Sequence, residues 1–331
     1  MKSFKSKNIL ITGGAGYVGA VLVKELLKRE CSITVLDLMI YGENVLPSDK
    51  KLNIIKGDIR DNNLLKKIIP GHTDVIHLAC ISNDPSFELN PSLGKSINLD
   101  SFDPLVNIAK NSGINNFIYA SSSSVYGVKN EANVTEDMFL EPLTDYSLFK
   151  AKCEKILFDY QSNDFVCTVI RPATVCGYSP RQRLDVVVNI LTNHAFHNRK
   201  IKVFGGDQLR PNIHIMDMVN CYIQILETPD NIKAGKIFNA GYENQTVNQL
   251  ANSVREVVGK DIEIIREETD DNRSYHISSE KIKKEIGFET QFTVKNAIED
   301  LVEAFENKML INSFENENYF NIKKMQNLNL K

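Results

Sequence analysis

Ile9-Leu10-Ile11-Thr12 runs directly into Gly13-Gly14-Ala15-Gly16-Tyr17-Val18-Gly19, and an amphipathic helical pattern opens at once behind it. A short apolar strand, a glycine turn and a helix in that order leave few folds open. Glycine at 13 permits the tight turn, at 16 it lets backbone approach a pyrophosphate, and at 19 it lets the helix sit close to the strand. The helix N-terminus, with Tyr17 and Val18 in its first turn, then offers N–H groups and a positive dipole end to an anion. An isolated glycine turn is often only a turn. The strand before this one and the helix after it make it a dinucleotide-binding signature.

The next strand-like run ends at Asp37, eighteen residues beyond Gly19. A carboxylate there can take both hydroxyls of an adenosine ribose and repels a 2′-phosphate. No arginine adjoins it in the sequence, which favours NAD over NADP. Asp58-Ile59 closes the third run, where an adenine amino group would be met, although a lone aspartate at that place is commonly a turn or cap residue.

KNILIT, SITVLDL, LNIIKG, DVIHLA, NFIYAS and DFVCTVIRP all read as buried parallel strands alternating with amphipathic helices. The expected fold is α/β, a Rossmann-like doubly wound parallel sheet with right-handed crossovers and a smaller C-terminal substrate-binding lobe. The expected boundaries are 1–171 for the NAD-binding domain, 172–310 for the lobe and 311–331 for an Asn-rich tail. KIFNAG and VNQLANSVREVVG are expected to return to the main sheet or pack near it. The tail, with few core positions, reads as a flexible end or an arm on another subunit.

A net charge of -3 gives no basic excess to track nucleic acid. No apolar run approaches the roughly 20 residues of a membrane span, and the N-terminus lacks signal-peptide character. The six cysteines show no paired spacing. They read as reduced thiols of a cytoplasmic protein, with no metal site.

Tyr146 and Lys150 form Y-x-x-x-K, which on a helix puts both side chains on one face. A free phenol titrates near ~10, and lowering it to near ~7 takes about 4 kcal/mol of preferential anion stabilisation. A nearby ammonium and a cationic nicotinamide ring are the expected sources. A lone Y-x-x-x-K is commonly a surface pair. Here Ser121-Ser122-Ser123-Ser124-Val125-Tyr126-Gly127 follows the apolar strand Phe117–Ala120, so hydroxyls stand at the sheet edge where doubly wound folds bind ligands.

Together, Gly13–Gly19, Asp37, His77-Leu78-Ala79, Asn98, the serine run before Val125-Tyr126-Gly127, Tyr146 with Lys150, and Arg171-Pro172 resemble the extended short-chain dehydrogenases. That family includes nucleotide-sugar 4-epimerases, 4,6-dehydratases and GDP-sugar oxidoreductases. The resemblance spans about residues 8–305. It implies Tyr146 as acid/base, Lys150 on the nicotinamide ribose and Ser122 steering the sugar hydroxyl. It also implies Leu78 and Ala79 against the cofactor and Asn98 positioning the lysine, with a homodimer paired through the helices around 102–110 and 146–160.

Two departures narrow the chemistry. Family dehydratases carry Asp-Glu before the Val-Tyr-Gly triplet, where this chain has Ser123-Ser124; neutral hydroxyls are poor substitutes for the acid and base of an elimination. Thr174 stands where the family usually has an asparagine contacting the nucleotide-sugar. Arg210 resembles the family's diphosphate-gripping arginine, since a guanidinium bonds two oxygens in one plane. Ser179–Asp185 and the segment holding Arg273 resemble GDP-heptose 4-dehydrogenases, which implies Arg181, Arg183 and Arg273 at phosphates or sugar hydroxyls. Ser82 and Asn83 follow the fourth strand on the crevice side, where they either touch the sugar or form a plain turn. The implied activity is epimerisation at carbon 4 of a nucleotide-diphosphate sugar through a 4-keto intermediate. A 4-dehydrogenase or 4-keto reductase is the alternative enzyme, and a non-catalytic NAD-binding protein the alternative class.

Overall fold

Short apolar runs separated by amphipathic helices pair side by side, because each crossover helix covers one face of the sheet and leaves the next strand beside the last. In the computed structural model, which describes residues 4–131, 133–269 and 274–328, six such strands come first. They are β1 (Asn8–Thr12), β2 (Ser32–Asp37), β3 (Leu52–Lys56), β4 (Asp74–His77), β5 (Asn116–Ala120) and β6 (Val166–Pro172). Then follow β7 (Thr174–Cys176), β8 (Lys200–Phe204), β9 (Leu209–His214), β10 (Lys236–Ala240), β11 (Glu243–Thr246) and β12 (Glu263–Glu267).

Seven strands form one sheet in the order β10-β6-β5-β4-β1-β2-β3, every neighbouring pair parallel. The winding reverses between β1 and β4, and a crevice opens there at the strands' carboxyl ends. Successive side chains of β1 serve opposite faces. Ile9 and Ile11 enter one apolar cluster and Leu10 enters the other, all three fully buried.

Three expectations need correction. β3 is an edge strand with Ile54 exposed, since among the described strands it pairs with β2 alone. β10 does join the main sheet beside β6, but the helix Val247–Val258 does not. Its stripe of Val247, Leu250, Ala251 and Val254 packs with Val188, Leu191, Ala297 and Ile298 into the core of the lobe. The tail is not a loose end: it includes a helix, Asn321–Asn327, which packs on the short helix Asp84–Glu88 and buries Met325 in one of the two apolar clusters flanking the main sheet. The helix Phe102–Asn111 leaves Asp103, Asn107 and Asn111 exposed, so its outer face is polar, whereas Leu148 and Ile156 of Asp145–Asp159 are half-buried.

Beneath the crevice lies a buried polar knot. Arg171 at the end of β6 grips Glu154 of the helix Asp145–Asp159 with two bonds, Nε to Oε1 at 3.0 Å and Nη2 to Oε2 at 2.7 Å. Its Nη1 donates to the Tyr126 hydroxyl at 2.8 Å, and that hydroxyl donates to Asn239 Oδ1 on β10 at 2.7 Å. Ser121, just past β5, donates to Glu154 as well. Nearby, His77 Nδ1 lies 2.7 Å from Thr12 Oγ1, and burial pushes the imidazole down to about 3.

Glu154→Leu leaves Arg171 as an uncompensated buried charge and is expected to cost about 3–5 kcal/mol, read from the urea unfolding midpoint. His77 titrates lower folded than unfolded, so as pH drops below about 6.5 the unfolded chain takes up a proton that the folded chain refuses. Stability is therefore expected to fall from about pH 6.5 towards 3. Urea midpoints at pH 7.5 and 5 should show the loss, and His77→Gln should lessen it.

Candidate active site

One cleft of about 480 Å³ runs along the carboxyl ends of β1, β2, β4, β5 and β6, a size typical of small-molecule sites. At one end is the glycine turn. Gly13 has φ +76°, and a Cβ added there would lie 2.5 Å from the Ala79 amide nitrogen. One added at Gly19 would lie 2.6 Å from the Gly13 carbonyl oxygen. Around Gly16 the sole atom within 4 Å is that same oxygen at 3.1 Å, so this glycine faces the open cleft. The turn is thus closed on the protein side and clear on the ligand side, as a pyrophosphate cradle requires. Tyr17, Val18, Leu78, Ala79 and Ile59 line the same end.

Asp37 is fixed by two backbone donors, Ala15 N–H at 3.0 Å and Met39 N–H at 2.8 Å. Burial raises its pKa, and these bonds and the charge of Arg181 oppose that rise. The sequence puts no arginine beside Asp37; the fold does. Arg181 arrives from the stretch after β7 and stacks its guanidinium 3.5 Å from the centre of the Tyr41 ring. Asp58 lines the cleft, but Arg60 occupies its carboxylate through Nε at 3.0 Å to both oxygens and Nη2 at 2.6 Å.

At the other end stand Ser122, Tyr146 and Lys150. Thr144 caps the helix Asp145–Asp159 in a reciprocal box with Ser147, which sets Tyr146 and Lys150 on the face turned to the cleft. The Lys150 Nζ donates to the Ala120 carbonyl at 2.7 Å and lies 5.8 Å from the centre of the Tyr146 ring. Ser122 Oγ accepts Ser124 N–H at 3.1 Å and lies 2.8 Å from Ser124 Oγ. Burial holds the Tyr146 phenol well above its usual pKa; Cys80 and Asp84 add to this, while Arg183 and a hydrogen bond with Ser122 oppose it. Burial thus opposes the lowering that the lysine and a cationic nicotinamide ring together are expected to bring.

Asn98 also takes a different part from the one expected. Its side chain clamps the backbone of Ile81, accepting N–H at 2.8 Å and donating to C=O at 2.9 Å, and it does not reach Lys150 or line the cleft. It sits in a π-helical turn, Ser96–Asp100, which aims it at the loop after β4.

Of the residues expected at the substrate, Ser82, Asn83, Thr174, Arg181, Arg183 and Arg210 all line the cleft. Asn83 spends its Oδ1 on capping a short helix, accepting Ser86 N–H at 3.0 Å. Arg183 pairs with Asp185 at 2.8 Å and leaves its buried Nη2 without a hydrogen-bond partner. Arg210 donates to the Leu209 carbonyl at 2.9 Å and lies over the Tyr275 ring. Arg273 lies outside the described residues. Sequence reasoning passed over Tyr41, Asp84, Asp185, Asn321 and Met325. Tyr41 stands four residues past Asp37, a usable signal; Asn321 and Met325, from the far end of the chain, gave none. Among the described residues, no cluster of His, Cys, Asp or Glu is placed to hold a metal, and no helix is long and apolar enough to cross a membrane.

Residues 9–241 match the profile of the family described as NAD dependent epimerase/dehydratase. The chain is 28% identical over 315 residues to a UDP-glucose 4-epimerase of Corynebacterium glutamicum, covering 88% of this chain and 94% of that one. It is 23% identical over 320 residues to a dTDP-glucose 4,6-dehydratase of Streptomyces niveus, covering 90% and 92%. A UDP-glucose 4-epimerase of Thermotoga maritima, solved with UDP-glucose, shares the fold with a TM-score of 0.83 at 24% identity, covering 91% of this chain and 99% of its own.

The bracing of Asp37 generates a test. Asp37→Ala is expected to weaken NAD and to relax rejection of NADP, because the carboxylate that takes the ribose hydroxyls and repels a 2′-phosphate is gone. Calorimetric titration of both cofactors checks this; equal affinity of the unaltered protein for the two would refute the role given to Asp37.

Proposed function

Because the chain belongs to the NAD dependent epimerase/dehydratase family, we propose that it is a nucleotide-sugar 4-epimerase working through a 4-keto sugar. The observation that carries this reading is the meeting of Tyr146, Ser122 and Lys150 with Arg183 and Arg210 in one cleft whose far end is the glycine cradle. When bound, NAD supplies a hydride acceptor and later donor, and a positive ring that favours the ionised phenol. Gly13, Gly16, Gly19, Asp37 and Lys150 are the residues that would hold it.

The rest is the chain's own work. Tyr146 accepts the proton of the carbon-4 hydroxyl at its phenolic oxygen and gives it back when the hydroxyl re-forms. Ser122 orients that hydroxyl, with its own Oγ fixed by the Ser124 amide. Arg183 and Arg210 suit the diphosphate, and this anchoring lets the sugar ring turn over without leaving. Elimination of water across carbons 5 and 6 is poorly served: Ser123 is buried, and the Ser124 hydroxyl is bonded to Ser122.

A second reading, a 4-dehydrogenase or 4-keto reductase, is favoured by one feature, the likeness of Ser179–Asp185 to GDP-heptose 4-dehydrogenases. Turnover of a panel of GDP-, UDP-, CDP- and dTDP-sugars in deuterated solvent without added NAD, followed by NMR, separates the two. Inversion at carbon 4 with no solvent deuterium there is the expected result. Stoichiometric NADH with a released ketone would make the protein a dehydrogenase, and loss of oxygen at carbon 6 would overturn both readings. Tyr146→Phe is expected to bind NAD normally and to lose ~100- to 10,000-fold in turnover.

A further inference from the structure

Arg181 is placed unlike a substrate ligand. It is 3% exposed, and its Nε and Nη1 are buried without a hydrogen-bond partner. It lies against Tyr41, and its charge reaches Asp37 as well as Tyr17 in the first turn of the glycine-loop helix. Those three residues surround the pyrophosphate and adenosine-ribose end of the cleft, not the Tyr146 end. Burial pushes the guanidinium down to about 10, the direction expected of a cation short of counter-charge. The nearest carboxylates are already engaged, Asp185 by Arg183 and Asp37 by two backbone amides. Two orphan donors on a buried cation cost free energy unless an anion meets them.

The group that aims this arginine comes from the other end of the chain. Asn321, 2% exposed, accepts from Arg181 Nη2 at 2.5 Å through Oδ1 and donates to Ser82 Oγ at 2.8 Å through Nδ2. Its backbone N–H donates to Asp185 Oδ2 at 2.8 Å, and the Leu184 N–H donates to the Tyr319 carbonyl at 2.8 Å. One residue therefore ties the loop after β4 to the stretch after β7, across the crevice between sheet and lobe. Met325, one turn further on, closes part of the same wall.

We propose that the C-terminal helix Asn321–Asn327 is a strap that retains the cofactor: Asn321 is a positioning residue holding Arg181 over the pyrophosphate–ribose stretch of NAD. NAD then exchanges only when the strap lets go. Such retention suits an enzyme whose hydride goes out and comes back within one turnover. The proposal rests on the reading of this cleft as the NAD site, but its test needs no sugar substrate and so stands apart from the epimerase reading.

The experiment follows exchange of bound NAD for radiolabelled NAD in the full-length protein, in Asn321→Ala, in Arg181→Gln and in the double variant. Asn321→Ala and Arg181→Gln are each expected to speed exchange on the order of tenfold, as loss of a hydrogen bond to a charged group implies. The double variant should be no faster than Arg181→Gln, because Asn321 acts through that arginine. A merely structural Asn321 would lower the melting temperature and add its effect to that of Arg181→Gln. A chain ended after Asn318 should exchange at least as fast as Asn321→Ala. Exchange at the unaltered rate in a folded Asn321→Ala would overturn the proposal. So would unchanged NAD exchange in Arg181→Gln with a raised KM for nucleotide-sugar alone, which would return Arg181 to the substrate.

Discussion

The buried bond between Arg171 and Glu154 underlies the rest of the site. An ion pair with side chains only 3% and 4% exposed is costly to bury and is worthwhile only when every remaining donor and acceptor is met. Here Ser121 and Tyr126 of the segment after β5 and the Glu136 carbonyl of a later loop meet them. The pair consequently fixes the end of β6, the loop after β5 and the helix Asp145–Asp159 relative to one another. Those are the three pieces that deliver the substrate wall, Ser122, and Tyr146 with Lys150. Asn239 extends the knot to β10, so the last strand of the main sheet is joined to the same centre.

The cleft above it is uneven in charge. At the catalytic end, burial keeps the phenol of Tyr146 neutral. Arg181, towards the glycine end, and Arg183, nearer Tyr146, carry buried nitrogens without hydrogen-bond partners. Buried donors without partners favour an anionic occupant. Arg181 belongs to the segment after β7 but reaches the carboxyl end of β2, so that segment and the main sheet share this end of the cleft.

The tail shows how far a local reading can mislead. Its asparagines look like a solvated, low-complexity end, yet Asn321 is among the better-connected side chains in the molecule. Asn98 is the reverse case. It stands where a family asparagine holds the catalytic lysine, but its amide meets the backbone of Ile81, and Lys150 takes the Ala120 carbonyl instead.

By itself the sequence determined the six-strand alternation, the glycine turn, Asp37, and the spacing of Tyr146 and Lys150. Each depends on residues within a turn or a strand of one another, where backbone geometry dictates what the side chains do. That β3 is an edge, that Val247–Val258 builds the lobe, that Arg181 comes near Asp37 and that Asn321 bonds to it emerge first in the folded chain. Those outcomes depend on which surfaces meet between segments far apart in the chain, as Arg181 meets the Asp37 end of β2 and Asn321 meets Arg181. Hydrophobic periodicity states that a face must be buried but not against what, and a guanidinium's partners follow from where the lobe comes to rest on the sheet.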